Sequence, residues 1–265
     1  MGKYIGFLAA LCGLSACAFD SGPAPGRAFV SAPLAPPPID YAALVAHPDR
    51  PLDDFSSDAS RHPSEVLAFM DVGYGMTVVE LEAGGGYYTE LFSRAVTDTG
   101  KVYMHNPKEF DAFLGDSLDK RFEDGRLSNV EMMRTPFDEI RVPDSSADLV
   151  TWVLGPHELW FTPDGSEVEA LGDPEGAFME ISRVLKTGGT FVALDHSAPK
   201  GSSTETGGTT HRIDPDIIIR MAEASGLTFV DTSDLLANPD DDLETYVLDP
   251  EIRRKTDRFL LKFRK

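Results

Sequence analysis

Three of the six histidines lie after, or close to, apolar runs that predict strands. His157-Glu158 follows one run, Asp195-His196 ends another, and His211 comes after a loop rich in Gly, Ser and Thr. Imidazole is a general base near neutral pH or, in its neutral form, a metal ligand, and a nearby carboxylate can orient it. We therefore predict a catalytic set of His157, His196, His211 and Asp195, with proton removal as its first candidate chemistry.

Two alternatives exist for the same four side chains. Each histidine is also explained by a local hydrogen bond within its loop, without any reaction. A metal cluster of His157, His196, His211 and Asp195 is a further alternative, but spacing along a sequence fixes no coordination geometry. The prediction is therefore a proton-transfer site without a bound metal.

A second chemical feature is the glycine-rich turn at Gly84, Gly85 and Gly86, which follows an apolar run containing Glu80. A helical pattern begins just behind it, at Tyr87. Glycines let a backbone approach a ligand closely, and a helix N-terminus offers free N–H groups to a carboxylate or phosphate. A dinucleotide fingerprint would want glycine at position 89, where this chain has Thr89. A glycine-rich turn without a ligand is the alternative.

These groups require a framework in which strands and helices alternate. Such alternation predicts a mostly parallel sheet that is covered on both faces by helices. Apolar patterning predicts strands at 76–81, 101–105, 130–133, 147–153, 190–194, 227–230 and 259–263. It predicts helices at 64–70, 87–96 and 215–225. A further helix is predicted to begin at Pro107, with Phe110, Phe113 and Leu114 facing inward, and another to run from Asp173 to a stop at Gly188-Gly189.

Charge and cysteine content narrow the range of functions. The formal net charge of −20 disfavours nucleic acid as a partner, because a polyanion repels phosphates. The only cysteines are Cys12 and Cys17, so residues 18–265 contain neither a cysteine nucleophile nor a disulfide. The sequence does not indicate an oligomeric state.

The N-terminus has the pattern of an export signal. Lys3 precedes a short apolar run, which is followed by Leu14-Ser15-Ala16-Cys17. These four residues resemble a bacterial lipobox, in which the cysteine becomes the lipidated first residue. We predict a lipoprotein signal peptide at 1–16, lipidation at Cys17, a Pro-rich tether at 17–39 and one folded domain at 40–265. The expected location is the bacterial cell envelope, anchored by lipid and facing the periplasm.

Three motifs resemble class I S-adenosylmethionine (SAM) methyltransferases. Residues 80–86 are similar to motif I of that family, and residues 143–150 to its loop and fourth strand. Residues 178–190 closely resemble its segment E-x-x-R-V-L-K-P-G-G, with Thr187 in place of proline. The resemblance implies an α/β fold with a Rossmann-like sheet, mostly parallel, with an antiparallel C-terminal strand and helices on both faces. It also implies SAM as cofactor.

The implied cofactor-binding residues combine the turn with two neighbouring strand ends. They are Glu80, Glu82, Gly84, Gly85, Gly86 and Asn106. The chain departs from the family where Glu82 replaces the first glycine of motif I and Asn106 replaces the usual acid after the second strand. Arg134-Thr135 also stands where an Asp is common.

The expected function is transfer of a methyl group from SAM to an unidentified small molecule or protein side chain. The main alternative is a noncatalytic envelope lipoprotein that keeps the methyltransferase fold as a binding module. A metal-dependent activity of the histidines is a third possibility.

Overall fold

The computed structural model describes residues 1–2, 37–162 and 171–265. The chain separates into two units, Met1–Pro36 and Pro37–Lys265, and the folded elements described below belong to the second. Almost all of the predicted signal peptide, Cys17 and most of the tether lie outside the described residues, so those interpretations stay predictions. No helix in the described ranges is both long enough and apolar enough to cross a membrane.

One seven-stranded sheet organises the described domain. Its strands lie in the order β3-β2-β1-β4-β5-β7-β6, and every neighbouring pair is parallel except those that β7 makes with β5 and β6. The predicted fold class is therefore confirmed. The strands are β1 Thr77–Leu81, β2 Lys101–His105, β3 Val130–Met133, β4 Ala147–Val153, β5 Leu185–His196, β6 Thr228–Ser233 and β7 Arg258–Arg264.

Helices cover both faces of this sheet. Neighbouring Val78 and Val79 of β1 point into different hydrophobic cores, since alternate strand residues face opposite sides. The Val78 core includes residues of α3 and α4, and the Val79 core includes residues of α7 and α9. The helices are α1 Tyr41–Val45, α2 Leu52–Arg61, α3 Pro63–Met70, α4 Tyr87–Val96, α5 Asp111–Leu114, α6 Ser117–Phe122, α7 Pro174–Val184, α8 Glu205–Thr210 and α9 Pro215–Ala224.

The predicted end of the helix before β5 was wrong. Helix α7 stops at Val184, and Gly188-Gly189 lies inside β5. The carbonyls of Arg183 and Val184 accept hydrogen bonds from the backbone of Ser145 and Ser146. The loop before β4 thus satisfies the last carbonyls of the helix, and Leu185 is free to begin a strand.

The predicted packing of the helix after Pro107 was also wrong. A 3₁₀ turn at Lys108–Phe110 leads into the short α5, which Gly115 ends in a left-handed conformation. Phe113 is 86% exposed, while Leu114 is buried. Four residues are too few to present a continuous apolar face, so only Leu114 of the three predicted side chains is buried.

Candidate functional site

The site lies at the carboxyl ends of β1 and β4, where the strand order reverses. From β1 the chain moves outward to β2 and β3, and it then returns to add β4 on the other side of β1. Open α/β sheets bind ligands at such a switch point, because the loops on either side of it diverge and leave a crevice. The glycine-rich turn follows β1 here, and the His157 loop follows β4.

The glycine-rich turn depends on two left-handed glycines. Gly84 has φ of +55° and Gly86 has φ of +82°, and Gly86 N–H donates to the Ala83 carbonyl. A Cβ on Gly86 would lie 3.3 Å from both Met104 and Arg121. A Cβ on Gly84 would meet nothing within 4 Å, so the backbone there faces open space that a ligand can enter.

Asn106 holds this turn in place. It follows β2, it is fully buried, and its Oδ1 accepts from Gly84 N–H at 2.8 Å. Its Nδ2 donates to the Gly84 carbonyl at 3.1 Å. The side chain therefore pairs with both polar groups of one glycine. That pairing makes it a support of the turn, and its role as a cofactor ligand stays a prediction.

A second support comes from Arg121, which sequence reasoning missed. Its Nε donates to the Gly85 carbonyl at 2.8 Å. Its two terminal nitrogens donate to both carboxylate oxygens of Asp54 on α2, at 2.7 and 2.9 Å. Nothing in the sequence pattern marks residues so far apart as partners, because the contact depends on how α2 and α6 fold over the turn.

Glu80 is a buried acid in β1 that points towards the start of α4. Its carboxyl accepts a hydrogen bond from Thr89 Oγ1. Burial raises the pKa of Glu80 to about 8, against the opposing effects of Thr89 and the Arg121 charge. At neutral pH the group is therefore mostly protonated.

Glu82 takes the position of the missing motif I glycine and adopts the glycine-like φ of +51°. Its Oε2 accepts from the Trp152 indole N–H at 3.0 Å. Gly155 lies against the same carboxyl, since an added Cβ there would come within 2.1 Å of Oε2. Burial and the nearby Glu158 charge raise the pKa of Glu82 well above its ordinary value.

His157 and Asp195 form a buried pair at the end of β4 and β5. His157 Nδ1 lies 2.8 Å from Asp195 Oδ1, and the His157 backbone N–H donates to Oδ2 at 2.8 Å. Burial would lower the pKa of His157, but the charges of Asp195 and Glu158 outweigh it and raise that pKa to about 10. The ring is thus held as a cation at neutral pH.

His211 and Glu158 complete this cluster. His157 Nε2 lies 3.0 Å from His211 Nδ1, and Glu158 Oε1 lies 3.3 Å from each of these nitrogens. Burial alone would raise the pKa of Glu158, but hydrogen bonds with both histidines lower it to about 2. The sequence shows Glu158 beside His157 but predicts no role for it. We call His157, Glu158, Asp195 and His211 the rim cluster.

The side chain of His196 lies outside the rim cluster, although its backbone N–H donates to Asp195 Oδ1 at 2.8 Å. Its Nδ1 lies 2.7 Å from Thr256 Oγ1, and its ring centroid lies 6.3 Å from that of His157. Burial and the neighbouring positive charge of His157 hold the pKa of His196 well below its usual range. Among the predicted catalytic residues, the His157 side chain thus contacts those of Asp195 and His211, and the His196 side chain makes a separate contact with Thr256. Their catalytic roles stay predictions.

Comparisons with known proteins bear on this arrangement. The ubiE/COQ5 methyltransferase family matches residues 61–207, which is more than half of the chain. The chain belongs to this family. The match includes the glycine-rich turn, His157 and Asp195, and it ends before His211.

Two relatives are ubiquinone/menaquinone biosynthesis C-methyltransferases UbiE. The protein from Enterobacter sp. (strain 638) is 31% identical over 125 residues, and that from Shewanella frigidimarina is 29% identical over 140. The matches cover 47% and 53% of this chain, and 44% and 49% of the relatives. The chain thus spans about half the length of these relatives.

A solved structure shows the same fold. A SAM-dependent methyltransferase from Aquifex aeolicus is similar with a TM-score of 0.56 at 20% identity, over 85% of this chain and 98% of that one. The family and the fold support SAM as the cofactor of the ubiE/COQ5-type domain described here.

The residues present fit that cofactor mainly through backbone groups. The open face at Gly84 and the N-terminus of α4 suit the carboxylate end of an amino acid. His105 Nδ1 and Thr135 Oγ1 are buried and have no hydrogen-bond partner among the described residues. They lie at or just beyond the carboxyl ends of β2 and β3, where a nucleoside could supply partners.

Proposed function

We propose that this chain is a SAM-dependent methyltransferase that acts on a small molecule or a protein side chain. The observation that carries the proposal is the open backbone at Gly84 and Gly85, beside the helix N-terminus at the switch point of the sheet. An added Cβ on Gly85 would reach only Ser117, at 3.8 Å. A ligand can therefore approach this backbone more closely than any side chain would allow.

When bound, the cofactor supplies an electrophilic methyl group. The role of the chain is then to bind, orient and remove a proton. The turn held by Asn106 and Arg121 provides a rigid binding surface. The carboxyls of Glu80 and Glu82, both with raised pKa, can lose their protons when a positive charge comes near. A proton released by the acceptor would pass to the Glu158 carboxylate of the rim cluster, since His157 already carries both ring protons.

The names of the relatives support one acceptor class for a first test. Both UbiE proteins are C-methyltransferases of quinone biosynthesis, so a ring carbon of a phenolic compound is the acceptor we would assay first. Because the shared region is about half of each of those proteins, we propose this acceptor class for the present chain and do not transfer it as a known property.

We also propose that the protein is lipid-anchored at the bacterial envelope and faces the periplasm. Leu14-Ser15-Ala16-Cys17 after a short apolar run supports this location. Mass spectrometry of the protein from a bacterial host should find a diacylated Cys17 at the N-terminus, and Cys17→Ser should abolish the modification. An unprocessed Met1 in membrane-free extract would contradict the proposal.

The function is tested by isothermal titration of the full chain with SAM and with its demethylated product. We expect both to bind, and Gly85→Ala to weaken binding at least about tenfold, a loss of about 1.4 kcal/mol. Gly73→Ala is the matched control, since its added methyl meets only the flexible end of Met76. If neither nucleoside binds the folded protein at about 1 mM, the enzyme assignment fails and a binding module remains.

A further inference from the structure

We propose that His157, Glu158 and His211 form a binding site for one divalent transition metal ion, with zinc as the best-fitting metal. The site goes beyond the methyltransferase function, and neither the family match nor the fold assigns it. Its three candidate ligand atoms are His157 Nε2, His211 Nδ1 and Glu158 Oε1.

The spacing of these atoms is the first argument. They form a triangle with sides of 3.0, 3.3 and 3.3 Å. A tetrahedral zinc ion with bonds of about 2.0–2.2 Å holds its ligand atoms roughly 3.3–3.5 Å apart. An ion slightly above the plane of the triangle would therefore bind all three atoms with only small side-chain shifts.

The orientation of His157 is the second argument. Asp195 accepts from His157 Nδ1 and so fixes that nitrogen as a donor. Nε2 then faces the triangle and would bind a metal once it has released its proton. Asp195 is itself fixed by the backbone N–H groups of His157 and His196. A carboxylate behind a metal-binding histidine commonly fixes the ring in this way, so Asp195 is a positioning residue.

His211 is equally well placed before any ion arrives. Its backbone is left-handed, with φ of +53° and ψ of +44°, and its N–H donates to the Thr206 carbonyl. The ring lies beside those of Phe161 and Tyr246, at centroid distances of 4.7 and 5.4 Å. A ligand that is already oriented loses little freedom on binding.

Charge is the third argument. Glu158 and Asp195 contribute two carboxylates at the cluster, against two imidazoles that are neutral when they bind metal. Glu158 Oε2 is buried and has no hydrogen-bond partner within the described ranges. A divalent cation bound at Oε1 would neutralise part of this charge.

The ligand types select the metal. Magnesium and calcium prefer oxygen ligands, whereas two imidazoles and one carboxylate suit zinc. Three protein ligands leave a fourth position for water or an acceptor oxygen, as in catalytic zinc sites. An acceptor bound there would lose its proton more readily, because the ion stabilises the anion.

The test is zinc binding by the full chain after dialysis against a chelator, measured by competition with a chromophoric indicator. We expect one equivalent of zinc per chain. His211→Asn should weaken its affinity at least about 100-fold, because loss of even an outer partner commonly costs 10- to 100-fold. His62→Asn is the matched control, since His62 has the same left-handed backbone, with φ of +45° and ψ of +51°.

Cobalt provides a second readout that does not depend on activity. Cobalt in place of zinc should give the intense visible bands of a tetrahedral site, and Glu158→Gln should remove them. Zinc bound equally well by the wild type and by His211→Asn would overturn the proposal. So would the absence of zinc binding at about 100 μM to a chain whose circular dichroism shows it folded, since a shared proton would then explain the short contact.

Discussion

Asp54 and Arg121 form a buried ion pair through two parallel hydrogen bonds of 2.7 and 2.9 Å. The same guanidinium donates to the Gly85 carbonyl, so helix α2 is tied to the glycine-rich turn through one side chain. A segment that precedes the family match thereby stabilises the backbone on which the proposed function depends.

Asp54→Asn should destabilise the fold and weaken nucleoside binding together. The Arg121 charge would lose its partner, and Glu90 at 3.7 Å offsets only part of that loss. We expect unfolding in urea to show a loss of about 2–3 kcal/mol, somewhat less than is usual for a broken buried pair. Asp116→Asn is the control, since that exposed carboxylate precedes α6 and pairs with the exposed Lys120, so its loss should change stability little. Equal effects of the two variants would contradict this role.

Glu80→Gln should change how stability depends on pH. The pKa of Glu80 is about 8 in the fold and about 4.5 in the unfolded chain, so between these values the native state binds the extra proton. The contribution of Glu80 to the free energy of unfolding therefore falls as pH rises, by at most about 1.4 kcal/mol per pH unit. Urea unfolding between pH 5 and pH 8 should show Glu80→Gln gaining stability relative to the wild type.

The exposed Glu131, which pairs with Lys101, offers the control for that experiment. Glu131→Gln should follow the wild-type profile throughout. Parallel profiles for wild type and Glu80→Gln would mean that Glu80 is already ionised in the fold.

Asn106→Asp, which restores the acid usual in the family, should be destabilising. The carboxylate could still accept from Gly84 N–H, but it would face the Gly84 carbonyl without a proton to donate. We expect a loss of about 1–3 kcal/mol at neutral pH, the usual penalty of an unsatisfied buried group. Acidification should recover part of it by protonating the new side chain. A variant as stable as the wild type at pH 8 would show that Asn106 does not support the turn.

Gly155→Ala should disturb the contact between Glu82 and Trp152. The added methyl would lie 2.1 Å from Glu82 Oε2 and 2.4 Å from Trp152 Nε1, so the carboxyl must move. We expect a loss of about 1–3 kcal/mol from overpacking. A double-mutant cycle with Glu82→Ala should recover part of this loss, since the clashing carboxyl is then absent and the contact with Trp152 Nε1 is left. If the stability losses of Gly155→Ala and Glu82→Ala simply add, the added methyl does not act through the Glu82 carboxyl.

The sequence predicts most of the sheet because its strands are short apolar runs between clear turn signals. Strands at Lys101, Val130 and Ala147 begin and end where the patterning predicts. The errors come from tertiary contacts, as where hydrogen bonds to Ser145 and Ser146 end α7 early. Helices α1 and α2 were not predicted. Most residues of α2 are polar, so its sequence does not indicate that Asp54 is buried against the glycine-rich turn.

The site is predicted less completely, for a related reason. Parallel strand order brings His157 and Asp195 to one edge, and the loop after β5 returns His211 to them. Which atoms meet depends on loop geometry. The sequence therefore predicts His196 as a member of the catalytic set and does not predict the contacts of Glu158. The partnerships of Glu82 with Trp152 and of Gly85 with Arg121 follow no sequence periodicity.

The placement of β7 has a consequence for the order of assembly. It lies between β5 and β6 although β6 precedes it along the chain, so β6 has no edge to join until β7 has docked. Until then the outer side of β5 presents unpaired backbone groups, which other chains can capture. A newly synthesised protein should therefore be most prone to aggregation just before residues 258–264 become available, and chaperone binding should be concentrated in that interval.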